Sequence, residues 1–252
     1  MDSTLKDMKA VLLVGGLGTR LRPVVGSTPK PLASVGNRPF LELLIRQLRQ
    51  QGIRRLVLCT GYQAEEMERE LGDGSAWDVS IEYSREPSPM GTAGAVRFAE
   101  PLLRDVQDFL VMNGDSFMEM DFRELAEFHR RCGGVASMAV FCIKNEKRYG
   151  TVKLGDEGRV AGFLEKSEGE AEGLVNAGIY VFNRRIFDFL PGGPASLEKD
   201  VFPKLPAHGL FACEQHGVFI DIGTPDDYAR AQLLFDRLNE AASRKQTLAR
   251  LD

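Results

Sequence analysis

The stretch Val14 to Leu32, VGGLGTRLRPVVGSTPKPL, gathers Gly15, Gly16, Gly18, Arg20, Arg22 and Lys30 within nineteen residues. Glycines let backbone N–H groups approach a ligand with no Cβ in the way, and cations supply the charge that a di- or triphosphate requires. The chemistry open to such a stretch is to hold a nucleoside triphosphate. Asp115 in NGDS and Asp221 in GVFIDIGTPDDY each close an apolar run. Hard carboxylate oxygens of this sort suit Mg2+, which binds through one or two carboxylates plus substrate phosphates. A strand-end turn is the other role open to Asp115. Capping of the next helix is the other role open to Asp221, although Thr224 at the cap and Pro225 at the first helical position are better placed for it.

These residues need elements to position them. Ala10 to Val14 is continuously apolar and too short for a buried helix, which predicts a central parallel strand covered on both faces. The glycine stretch that follows is neither of two familiar phosphate loops. A GK[ST] ending is absent, and Leu21 stands where a dinucleotide fingerprint needs its third glycine. Pro23, Pro29 and Pro31 forbid an immediate long helix, so the chain is expected to stay irregular for about two dozen residues until PFLELLIRQLRQQG, an amphipathic helix stopped at Gly52. RRLVLCTGY and VSIEYS then read as strands around the polar helix AEEMERELG. PMGTAGAVRFAEPLL reads as a helix beginning at Ala93, and DFLVMNGDS as a third strong strand.

From Val135 the pattern shifts to antiparallel pieces: VASMAVFCI, YGTVKL, GRVAGFLEK and GLVNAGIYVFN. Alternating strands and helices predict an α/β fold with a mostly parallel, mixed sheet. The expected organisation is one domain over 1–252, with a nucleotide-binding half at about 1–134, a β-rich half at about 135–238 and a tail at about 239–252. In open α/β sheets the ligand crevice lies outside the carboxyl ends of the strands, where the glycines, Asp115 and Asp221 all fall.

Composition agrees with a compact enzyme. The chain has 252 residues, 43% of them hydrophobic, and a formal net charge of −4, which speaks against broad nucleic-acid binding and membrane insertion. MDSTLKDMK lacks a secretory apolar region. Cys59, Cys132, Cys142 and Cys213 show no CxxC spacing and read as reduced thiols of a cytoplasmic protein. His129, His208 and His216 form no HxxxH or HExxH pair, which argues against zinc.

GGLGTRLRP followed by TPKPL resembles the signature of the sugar-1-phosphate nucleotidyltransferases. The resemblance implies a Rossmann-like three-layer α/β/α fold with a small antiparallel sugar-binding part, which makes the half at about 135–238 the sugar-binding half. It implies that Val14, Gly15, Gly16, Gly18 and Thr19 wrap the nucleotide, that Arg20 contacts the departing pyrophosphate, and that Lys30 contacts phosphate near the reaction centre. It also implies Gly114 at the nucleotide and Asp115 with Asp221 as Mg2+ ligands. EPSPMGTAG, residues 86 to 94, resembles the family's base-binding loop, with Gly91 and Thr92 against the base. Glu86 stands where relatives resembling thymidylyl- and uridylyltransferases use glutamine. Guanine presents two neighbouring donors that an ionised carboxylate accepts together, whereas uracil or thymine would repel it, so this departure argues for GTP.

On the sugar side FLEKS resembles the family's EKP element, with Glu165 for hydroxyls and Lys166 for the sugar phosphate, Ser167 replacing the proline. A solvated charge is the other reading of Lys166. Asn176 in VNAGIYVF matches the NAG motif, and Gly150 in RYGTV would approach the sugar through its backbone. SLEKDVFPKL, from Ser196, is expected to be a late helical segment that packs rather than reacts. RPFLELLIRQLRQQGI and NGDSF most resemble the D-glycero-D-manno-heptose 1-phosphate guanylyltransferases, which make GDP-heptose for bacterial surface glycans; mannose 1-phosphate guanylyltransferase is the alternative. Relatives with a left-handed β-helix add hexapeptide repeats. This sequence is expected to end in a helix, PDDYARAQLLFDRLNEAASR, and a short charged tail, without that domain's oligomerisation and acyltransferase functions, and a homo-oligomer is left open.

The implied reaction is in-line attack by a sugar phosphate oxygen on the α-phosphorus of GTP. The nucleophile is already an anion, so catalysis is expected from positioning and charge neutralisation. A non-catalytic subunit that senses nucleotide sugars would have lost Arg20, Lys30 or an aspartate, and a glycosyltransferase gives no reason for the two cations of the first loop.

Overall fold

The structure is a computed structural model and describes residues 5–143, 151–164 and 173–243. The chain opens with β1 (Lys9–Leu13), a single helical turn α1 (Arg22–Val25), a small hairpin β2 (Ser34–Val35) and β3 (Arg38–Pro39), and α2 (Phe40–Gln50). β4 (Arg55–Thr60), α3 (Ala64–Leu71), β5 (Ser80–Arg85), α4 (Gly91–Phe98) and β6 (Asp108–Asn113) complete the alternating part. There follow β7 (Ser116–Met118), α5 (Phe122–Cys132), β8 (Ala136–Ile143), β9 (Thr151–Leu154), β10 (Val160–Leu164) and β11 (Gly173–Asn183). The last elements are β12 (Leu210–Glu214), β13 (Phe219–Asp221), α6 (Pro225–Leu233) and α7 (Phe235–Ser243).

Nine strands of the described residues form one sheet along the path β10-β9-β11-β6-β1-β4-β5, with β8 beside β11 and β12 beside β8. β1, β4, β5 and β6 run parallel. β11 runs antiparallel to β6, β8 and β9 and so joins the two kinds of pairing in one sheet. Alternation along β1 places Ala10 and Leu12 in a core shared with α2, α3, α5 and α7, and Val11 in a second core shared with α4 and the 197–202 segment. With its two faces covered in this way β1 is buried at Ala10, Val11 and Leu12, as a continuously apolar strand requires.

Several elements differ from the sequence reading. The strand ends at Leu13, one residue before Val14. The segment up to α2 is not irregular throughout: Pro23 sits in the first turn of α1, where its missing N–H costs nothing, and Lys30–Leu32 form a 3-10 turn. α4 starts at Gly91, two residues earlier than Ala93. α5 was hidden in a charged sequence, FRELAEFHRRC, and is capped by Asp121, whose side chain accepts from Arg123 N. β12 pairs parallel to β8, so the second part is not purely antiparallel. SLEKDVFPKL is a π-turn over Leu197–Val201 and a 3-10 turn over Phe202–Lys204, and the final helix is broken at Leu234 into α6 and α7.

Candidate active site

The glycine stretch leaves the carboxyl end of β1 and forms one wall of a cleft of about 470 Å³. Val14, Gly15, Gly16, Gly18, Thr19, Arg20, Lys30, Glu86, Gly91, Thr92 and Asp115 all line it, from four separate parts of the chain. Parallel pairing of β1 with β4 and β6, and of β4 with β5, brings their ends to one edge, which is why residues 13 to 20, 86 to 92 and 113 to 115 meet there.

Charge is concentrated around Gly223. A Cβ built on that glycine would lie 2.7 Å from Asp221 Oδ1, 3.4 Å from Lys30 Nζ and 3.5 Å from Arg20 Nη2. The short strand pair β7–β13 sets Asp221 opposite Ser116, and Ile222 N donates to Asp115 O at 2.9 Å, so two carboxylates 106 positions apart in the chain stand together. Lys30 Nζ donates to Asp115 Oδ2. Burial first and the Asp115 charge second raise the Asp221 carboxyl to about 6, against the opposing pull of Lys30. Two carboxylates beside an ammonium and a guanidinium form a mixed-charge floor that suits polyphosphate and a hard cation together. Among the described residues no group of three or more His, Cys, Asp and Glu is assembled for a metal.

Glu86 stands at the opposite end of the glycine stretch. Its Oε2 accepts from Met90 N at 2.9 Å, and its Oε1 lies 3.0 Å from where a Cβ on Gly15 would be. Burial raises its pKa, with the Met90 N–H opposing. One carboxylate oxygen is thus held by the backbone while the other faces the glycine wall.

The GTAG stretch has a more structural part than the sequence suggested. Gly91 has φ +68, and a Cβ there would sit 2.5 Å from Ala195 O, so only glycine permits the approach of the 193–195 backbone. Ala93 N and Gly94 N both donate to Ala195 O. Thr92 Oγ1 donates to Glu198 Oε2 at 3.0 Å and accepts from Leu197 N at 2.7 Å, so its hydroxyl fastens this segment while the residue lines the cleft.

Other predicted residues lie elsewhere. Gly114 is not among the lining residues; its N donates to Leu13 O at 3.0 Å and ties the ends of β1 and β6. Arg22 places its guanidinium over the Tyr62 ring, 4.8 Å from the centroid, outside the lining. Asn176 is not among the lining residues; it sits at the register break of β11, its Oδ1 accepting from Gly178 N at 2.9 Å. Gly150, Glu165 and Lys166 lie outside the described residues.

Sequence reasoning passed over Asn113, which lines the cleft with a buried Oδ1 that has no partner among the described residues. It stands within NGDS, but a turn-forming asparagine gives no signal that its side chain faces a cleft. Glu198 was assigned to packing and proves to hold Thr92.

Comparison with known proteins supports these observations. The family profile described as Nucleotidyl transferase matches residues 9–237. A protein of Oryza sativa subsp. japonica named probable mannose-1-phosphate guanylyltransferase 1 is 40% identical over 94% of this chain and 68% of its own length. A Mycobacterium tuberculosis protein named mannose-1-phosphate guanylyltransferase is 38% identical over 89% of this chain and 63% of its own. The chain therefore spans about two thirds of these curated relatives. Among solved structures, HddC from Yersinia pseudotuberculosis complexed with GMP-PN is 30% identical, has a TM-score of 0.80, and covers 90% of this chain and 99% of its own.

Proposed function

This chain belongs to the nucleotidyl transferase family as a sugar-1-phosphate nucleotidyltransferase, and we propose that it transfers the guanylyl group of GTP to the 1-phosphate of a manno-configured sugar. The observation that carries this reading is the convergence of Arg20, Lys30, Asp115 and Asp221 around Gly223, beside a glycine wall that ends at Glu86. The names of the relatives above support mannose, and HddC complexed with GMP-PN supports guanine. The D-glycero-D-manno-heptose to which the sequence points shares mannose's ring configuration. The two substrates therefore present the same ring hydroxyls to the cleft, and the proposal covers them as one class.

In the reaction a phosphate oxygen of the sugar 1-phosphate forms a bond to the α-phosphorus, and the bond from that phosphorus to the bridging oxygen breaks, releasing pyrophosphate. The glycine stretch holds the triphosphate against β1, Arg20 faces the departing pyrophosphate, and Lys30 neutralises charge on the α-phosphate. Positioning and fixed positive charge supply the acceleration, since no proton needs to be removed from the nucleophile. Asp115 and Asp221 are fit to hold Mg2+: their carboxylates stand together, and Asp221 bears the raised pKa of a buried acid facing a like charge. When bound there, the ion would supply charge neutralisation across the phosphates. Glu86 accepts from the guanine ring N–H and amino group.

Pyrophosphate release tests this directly, with Mg2+ and each of GTP, dTTP, UTP, CTP and ATP against mannose, heptose and glucose 1-phosphates. Release confined to GTP with manno-configured sugars is the expected result. A dTTP or UTP preference overturns the base assignment, and silence across the panel overturns the catalytic reading in favour of a sensor.

A further inference from the structure

The segment after Ala195 is expected only to pack, yet its one partly buried carboxylate collects hydrogen bonds from the cleft wall and from β11. Glu198 Oε2 accepts from Thr92 Oγ1 at 3.0 Å and from Ser196 Oγ at 2.8 Å, and Glu198 Oε1 accepts from Tyr180 Oη at 3.4 Å. Tyr180 Oη in turn accepts from Asn176 Nδ2 at 2.9 Å. Thr92 belongs to the nucleotide wall at the start of α4. Asn176 and Tyr180 flank a register break in β11, and bulges beside active sites serve to re-aim side chains.

That bulge reaches the cleft through Gly178. With φ +73, Gly178 packs so closely on Asn113 that a Cβ would lie 2.5 Å from Asn113 Nδ2, and Asn113 lines the cleft. The chain Thr92, Glu198, Tyr180, Asn176 therefore runs from the nucleotide wall to the strand bulge beside Asp115. Tyr180 is fully buried, with its ring 5.5 Å from Phe182 and 5.0 Å from Phe202, so its hydroxyl is fixed in place by packing.

We propose that Glu198 is a positioning residue that holds the β11 bulge, and through Gly178 the cleft-lining Asn113, against the nucleotide wall, so that the acceptor sugar phosphate is seated at a fixed distance from the nucleotide. A single carboxylate then holds the spacing between the two substrates. This inference rests on the guanylyltransferase reading given above.

The test compares KM for GTP with KM for the sugar 1-phosphate. Tyr180→Phe deletes one oxygen and keeps the aromatic packing, so the variant folds. It should raise the sugar KM about tenfold, the effect of one lost hydrogen bond, and leave the GTP KM within about twofold. Glu198→Ala should raise both, because it also releases Thr92, and Glu198→Gln should recover part of the loss through its remaining acceptor. A merely structural role would lower the thermal midpoint without splitting the two constants. An unchanged sugar KM in Tyr180→Phe, or equal rises in both constants, overturns the proposal while the functional reading stands. Wild-type protein that releases no pyrophosphate with any pair overturns the functional reading, and this inference with it.

Discussion

Replacing Glu86 by glutamine should move base preference away from guanine, and the direction follows from one hydrogen bond. Met90 N donates to Glu86 Oε2 at 2.9 Å and needs an acceptor after the substitution. The glutamine carbonyl must therefore stay on Met90, which sends the amide NH2 to the place of Oε1 beside Gly15. There it offers donors to the two donors of guanine and loses a charge-assisted interaction worth about 1.5–3 kcal/mol, so kcat/KM for GTP should fall by about 10- to 150-fold. A uracil or thymine carbonyl gains a partner at the same spot, and activity with UTP or dTTP should rise. The assay is pyrophosphate release at subsaturating nucleotide with the sugar phosphate held constant. Burial already raises the Glu86 pKa, so in the wild type the GTP KM should climb as pH falls, beginning at a higher pH than an ordinary glutamate would give. That limb should vanish in the variant. A folded Glu86→Gln protein with an unchanged ratio of GTP to UTP activity would refute the reasoning.

Other outcomes test the rest of the cleft. Lys30→Ala should lower kcat by on the order of 10² or more, as removal of a transition-state charge partner does, with a much smaller loss of thermal stability by calorimetry; an unchanged rate rejects the role. EDTA should stop pyrophosphate release and Mg2+ restore it, and Asp115→Asn should remain inactive with added Mg2+; full activity in EDTA rejects the ligand assignment. Gly91→Ala must place a Cβ against Ala195 O at a positive φ, so denaturant titration should show a loss of about 1–3 kcal/mol. Equal stability would mean that the 193–195 backbone moves freely.

The amino-acid sequence by itself determined the parts whose signals are local. Ala10 to Val14 declares a doubly covered strand because both faces of it are apolar, and Thr224 with Pro225 declares a helix start because capping needs only a few neighbouring residues. Arg20, Lys30, Glu86 and Asp115 stand out through their motifs, each written within a short stretch of chain, and all four line the cleft. α5 and β12 were not legible: the charged FRELAEFHRRC buries only a narrow face, and β12 takes its pairing from β8 over seventy residues away in the chain. Tertiary structure alone decided which side chains share the cleft. Asp221 meets Asp115 only because β13 pairs with β7, Glu198 meets Thr92 only because Gly91 lets the 193–195 backbone come close, and Arg22, two residues from Arg20, turns away to Tyr62. Residue type sets what a group can do in chemistry, but hydrogen-bond partners and burial come from strands and turns far apart in sequence. A one-dimensional pattern holds no measure of those distances.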